Sequence, residues 1–333
     1  MAVTSKGTAA GLVDWRTVER LTALIPAGPS ASRSARASSV AVLRRSALEA
    51  PAWVARITGL NRAAQQVAET TRVSVVDRAG LVRASTRALR GLMEQVPAPQ
   101  TSEAVRLVGA AEMAGAMSLL ATRLLGQVVP AAGTGADGDG GREGEASPHL
   151  LLVAPNVLAM RRQLDLDMLD LPAWVCLHEM THAVQLAAAP WLGPYLSDSM
   201  RMVIGAVVEA VHGEPGGGGV ADGMGEQGLR RRPGRAARIA ARAGRGRVLE
   251  GLTNFKERSE VASLAAALTF LEGHAEVVLD DVHPNRMPSV HRLRAVLSRS
   301  RAADAGIGPG PGLGSLLLHR LMGLEAKEAQ YAD

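Results

Sequence analysis

The residues best suited to chemistry lie in V-C-L-H-E-M-T-H-A-V, Val175 to Val184, which contains His178, Glu179 and His182 in the order His-Glu-x-x-His. Four residues along a helix give a net rotation of about 40° and a rise of about 6 Å, so the two imidazoles point the same way. So placed, His178 and His182 are candidate ligands for one Zn²⁺ at about 2.0–2.1 Å. Glu179, about 100° round the helix, flanks the metal and is the candidate catalytic residue, activating a zinc-bound water. With 8 His in 333 residues, chance alone places this motif in roughly one such chain in a hundred. Its surroundings therefore carry weight, and Leu177, Met180, Thr181, Ala183 and Val184 are all uncharged, as a helix buried beneath a cleft requires.

The motif needs a helix and a third ligand. A helix is predicted over 171–189, with Asp170 as its cap, Pro172 in the first turn and no further Gly or Pro until Pro190. The third ligand is sought in F-L-E-G-H-A-E-V-V-L-D-D, Phe270 to Asp281, where Glu272 and Glu276 share one helix face. Glu272 is the expected metal ligand, and Glu276, one turn later, is expected to orient a metal-bound histidine. Gly273 would let the two helices approach closely. His274, about 200° from Glu272 on an ideal helix, and Glu276 with the roles exchanged are the rival ligands. His274, Tyr195 and Tyr331 are all possible donors to an oxyanion, and the sequence selects none of them.

Hydrophobic residues make up 47% of the chain and aromatics only 2%, so Ala, Leu and Val must build the core, which favours helices. Helical segments are predicted over 37–71, 79–96, 102–128 and 257–279, with another in LGSLLLHRLMGLEAKEAQY near the C-terminus. Strands are predicted at Val73 to Asp77 and in HLLLVAPNV from His149. The fold class expected is mainly α, α+β, with a small β-sheet. Residues 131–148 and 213–247 read by composition as flexible insertions. They divide the chain into a helical N-terminal part, 1–130, and a catalytic part, 149–333.

The net charge of +5 has one source: residues 213–247 hold eight Arg against Glu214, Asp222 and Glu226, which leaves the rest of the chain neutral. That distribution argues against a protein coated in nucleic acid. The Arg-rich run could grip phosphates, but no aromatic residue lies within it to stack a base, and Arg is the general cation here, 34 against 3 Lys. A lone cysteine, Cys176, forms no internal disulfide, fits a reducing compartment and reads as a small core residue. Trp53, Trp174 and Trp191 read as packing residues. The unbroken apolar runs are far short of the roughly 20 residues that span a bilayer, and the N-terminus lacks a secretory pattern, so a cytoplasmic location without membrane association is expected.

Several segments, VDWRTVERL, LLLVAPNV, WVCLHEMTHAVQLAAAPWL, LEGHAEVVLDDV and LMGLEAKEAQY, resemble the signatures of a family of zincin-like hydrolases from high-GC bacteria. Some members of that family are named for association with biosynthesis of a deazaflavin coenzyme. The resemblance runs over most of the chain and implies a zincin-like metalloprotease fold. Its motifs fall on His178, Glu179, His182 and the segment from Glu272 to Asp280. The expected activity is zinc-dependent hydrolysis of a peptide or small amide. The alternatives are an inactive zincin-like scaffold and a polyanion-binding protein acting through the Arg-rich loop.

Overall fold

The computed structural model describes residues 7–129, 148–212 and 255–303. The two stretches read as insertions fall outside these residues, apart from Pro148, and so does the C-terminal helical segment.

The elements run β1 (Gly7–Thr8), α1 (Trp15–Thr22), α2 (Arg33–Thr58), α3 (Asn61–Thr70), β2 (Arg72–Val76), α4 (Arg78–Glu94), β3 (Pro97–Ala98), α5 (Glu103–Arg123), β4 (Gly126–Val129), β5 (His149–Val153), α6 (Ala154–Gln163), α7 (Asp170–Ala188), α8 (Leu192–His212), α9 (Phe255–Asp280) and α10 (Val290–Ala303). The chain is mainly helical with a small sheet, as its composition predicts.

The sheet that matters has the order β2-β5-β4. β2 runs parallel to β5, Arg72 facing His149 through to Val76 facing Val153. β4 runs antiparallel to β5, Gly126 facing Leu152 and Val129 facing His149. β5 reads as an unbroken apolar run because both its faces are covered. Leu150 and Leu152 point into a core shared with α2, α3 and α7. Leu151 and Val153 point the other way, against Leu81 and Val82 of α4 and Met117 and Leu120 of α5. The result is three layers, helices on each side of one short sheet. A separate two-residue pairing of β1 with β3 closes a second cluster around Ala9, Val18, Val96 and Ala110.

Several boundaries differ from the sequence expectation. The helix predicted over 37–71 is two helices, because Gly59 adopts φ 74 at the end of α2 and donates its N–H to Ala55 O. The helix predicted to reach residue 128 stops at Arg123. The Asn156 amide donates to the carbonyls of Ala121 and Leu124, closing the helix end, and Val128 and Val129 instead pair with β5. HLLLVAPNV is a strand only to Val153, after which Pro155 sits in the first turn of α6.

α7 carries the His-Glu-x-x-His motif and is buried on nearly every side: Leu171, Val175, Cys176, Leu177, Met180 and Val184 all lie in the main core. Asp170 does not cap it. Asp167 accepts from the N–H groups of Leu169 and Asp170, and Asp170 instead accepts from the backbone N–H and the hydroxyl of Ser289, pinning the start of α10 against α7. Two helices, α5 and Ser259–Asp280 of α9, are long and apolar enough to cross a membrane by length and composition, which unbroken apolar runs did not reveal. Each buries one face within the protein, α5 through Ala110, Ala114, Met117 and Leu120 and α9 through Leu264, Ala275 and Leu279.

Candidate metal centre

α7 crosses α9 so that His178, His182 and Glu272 converge, with their ligand atoms all within 4.8 Å of one another. His178 Nε2 lies 3.2 Å from His182 Nε2, 3.2 Å from one oxygen of Glu272, and the other oxygen is 3.6 Å from His182 Nε2. Bonds of about 2.0–2.1 Å in a tetrahedron put ligand atoms about 3.3–3.4 Å apart. The 3.2 Å between the two nitrogens fits one edge of such a tetrahedron, each nitrogen has a different oxygen of the Glu272 carboxylate beside it, and two nitrogens with one carboxylate are a donor set suited to zinc. The imidazole rings stand edge to face at 90°, their centroids 4.8 Å apart.

Glu179 is fully enclosed on the sheet side of α7. One carboxylate oxygen accepts the backbone N–H of Val128, while Oε2 is buried with no hydrogen-bond partner among the described residues. An orphaned buried carboxylate oxygen costs free energy, and it persists here beside the donor set. The close approach of Glu179 to β4 depends on Gly126: a Cβ there would lie 2.7 Å from Glu179 Cγ and 3.1 Å from both Cδ and Oε1. Gly126→Ala is therefore expected to cost about 1–3 kcal/mol of stability by overpacking and to displace the Glu179 carboxylate. Thermal melts and metal content of the variant check this, and an unchanged melting temperature would show that the contact yields freely.

The charges of the three groups are coupled. Burial pushes the Glu179 carboxyl above the usual carboxylate range, with His178 and His182 pulling it down and Glu272 adding to the rise. For His182 burial alone would lower the imidazole, but the hydrogen bond and charge of Glu272, with Glu179 and Gln185, outweigh it and raise it to about 9. Burial would raise Glu272 as well, yet the hydrogen bonds and charge of the two histidines hold its carboxyl well below the usual range.

A pH dependence follows for the metal-free protein. A raised His182 contributes stability that is complete below its ordinary value of 6.5 and is lost as pH rises through about 9. A lowered Glu272 contributes stability present above its ordinary 4.5 and lost as pH falls. Ionised Glu179 adds a cost that grows above 4.5. Above 4.5 the Glu272 gain is complete while the Glu179 cost grows, and above 6.5 the His182 gain declines as well, so the site's share of stability is largest near 4.5 and falls towards about 9. Melting temperatures in chelator across that range should show the decline, and Glu272→Gln should flatten it; a slope unchanged in that variant would contradict the pairing.

The remaining candidates fall as follows. Glu276 lies one turn after Glu272 on α9 and is half-buried. His274 is outside the donor set, but its Nδ1 meets Gln185 Nε2 at 2.8 Å, so it too reaches α7. Tyr195 packs edge to face on Trp191, and Tyr331 lies outside the described residues. Cys176 is fully buried, its thiol pushed up by burial and facing Leu43 O. Trp53 and Trp174 pack in the core, whereas Trp191 is 66% exposed. The sequence reading missed two residues. Gln185, on the face of α7 three residues past His182, contacts His182 Nδ1 at 2.9 Å, and helical spacing was the signal for it. Gly126, a glycine in a strand, marks a close approach.

A family described as zincin-like metallopeptidases matches residues 13–333. A crystal structure from Chloroflexus aurantiacus, described as "a putative hydrolase with a novel fold", is similar over 96% of this chain and 100% of its own, at 16% identity and a TM-score of 0.39. No curated protein matches the chain.

Proposed function

This chain belongs to the zincin-like metallopeptidase family, and from that premise we propose that it is a zinc-dependent hydrolase of peptide or small amide bonds. The observation that carries the reading is the convergence of His178, His182 and Glu272, their ligand atoms all within 4.8 Å of one another, with the orphaned Glu179 carboxylate oxygen alongside. His178, His182 and Glu272 would hold the ion. Zinc in that set supplies a Lewis acid for a carbonyl oxygen and a water that ionises near neutral pH.

The chain's own residues do the rest. Glu179 is the proposed general base: Val128 N–H holds one oxygen, which leaves Oε2 to accept a proton and later to return it to the leaving nitrogen. Its raised proton affinity suits that exchange, because a carboxylate of ordinary strength accepts a proton less readily. The wall of core residues around α7 excludes bulk water from one side of the site. Glu276 is proposed to steady a ligand histidine from α9. A cytoplasmic location is part of the same proposal, supported by the single cysteine.

The test is metal analysis of the purified protein together with cleavage of a peptide library before and after chelation. About one zinc per chain, with cleavage lost in chelator and restored by zinc, is the expected result. Zinc bound without cleavage of any peptide or amide would leave a scaffold, and absence of tight zinc binding would end the reading.

A further inference from the structure

Gln185 lies between the two helices that carry the donor set, and its partners determine which end of its amide is which. The Leu271 carbonyl, 2.9 Å away, only accepts, so the atom facing it is the amide nitrogen. The same nitrogen lies 2.8 Å from His274 Nδ1, and the amide oxygen lies 2.9 Å from His182 Nδ1. An amide oxygen only accepts, so His182 Nδ1 carries hydrogen. An amide nitrogen only donates, so His274 Nδ1 presents a lone pair and the proton of that ring sits on Nε2. Gln185 is itself 8% exposed, so little water competes for these bonds.

We infer that Gln185 is the positioning residue of this site, a single amide that keeps hydrogen on His182 Nδ1 and a lone pair on His274 Nδ1 and ties α9 beside Glu272 to α7. With Nδ1 bearing hydrogen, Nε2 is the nitrogen of His182 that can turn a lone pair to a metal once its own proton has left, and His274 offers Nε2–H as a donor. The bond to Leu271 O acts on the residue adjoining Glu272, so the same side chain sets the spacing between the ligands contributed by α7 and the ligand contributed by α9. The consequence for metal rests on the zinc reading above; the tautomers do not.

The experiment uses the full chain with ¹⁵N-labelled histidine, comparing the parent with Gln185→Leu and Gln185→Glu. In the metal-free parent, NMR correlations should show His274 protonated on Nε2 and bare at Nδ1. Gln185→Leu should lose that preference. Gln185→Glu, which can only accept, should reverse it, placing hydrogen on His274 Nδ1, and this variant carries the test if the leucine variant does not fold. In chelator competition, Gln185→Leu should weaken zinc binding about 10- to 100-fold, with Gln185→Glu closer to the parent because it still accepts from His182 Nδ1. A residue that served only packing would lower the melting temperature of the leucine variant and leave the His274 tautomer as it was. Hydrogen on His274 Nδ1 in the parent, or a tautomer untouched by both substitutions, overturns the inference. A parent that binds no zinc but shows the tautomer and its reversal supports it while removing the metal reading.

Discussion

Glu179→Gln is expected to keep the fold and the full metal content while turnover falls about 10²- to 10⁴-fold, the range for losing a positioned general base. The amide has the shape of the carboxylate, so the fit against Gly126 and the bond from Val128 N–H to one oxygen both survive. What disappears is the acceptor at the Oε2 position. Folding should not suffer, because burial already disfavours the charged form of Glu179 and the neutral amide avoids that cost. Equal zinc content with turnover at the parent rate would show that some other group takes the proton.

The second large effect concerns the ligands. His178→Ala or His182→Ala should abolish tight zinc binding, since each removes a nitrogen whose 3.2 Å separation from the other defines an edge of the donor set. Glu272→Ala should weaken binding far more than Glu276→Ala, because it opens the coordination of the ion itself. A residue acting through a ligand typically costs about 10- to 100-fold, roughly 1.4–2.7 kcal/mol. Chelator competition on these variants, with His274→Ala as a further arm, gives the order. Metal retained by Glu272→Ala and lost from Glu276→Ala or His274→Ala would move the third ligand to another residue.

The pattern from Val175 to Val184 was legible because helical spacing alone aligns residues four apart, and the absence of Gly and Pro up to Pro190 lets the helix run. The direction in which Glu272 faces was legible only as a choice between positions on one helix, since the crossing of α7 and α9 depends on packing of Leu279 and Ala275, which no local pattern encodes. The ideal-helix angle between Glu272 and His274 suggested that they point apart, yet both reach α7, because side chains of different length bridge to different points on the crossing helix. β4 was hidden for a different reason. Its four residues continue directly from an apolar helix, and only pairing with β5, twenty or more residues later, makes them a strand. α8 and α10 were passed over because proline and turn residues stand at their starts, Pro194 and Pro288, and prolines there suit first turns as well as loops.

The middle place of β5 in the sheet also sets an order in time. β2 and β4 leave the ribosome first, and they are not each other's neighbours: each pairs only with β5. At about 5–20 residues per second, the interval between Val129 and Val153 is on the order of one to five seconds. During it the apolar sides of α4 and α5 have no strand to close against, as Leu151 and Val153 are not yet made. The nascent chain is thus most open to chaperones, and to wrong pairings with a neighbouring copy, in the seconds before its central strand arrives. The helix bearing His178 and His182 follows that strand with only α6 between them, so it docks onto a sheet that has only just been completed.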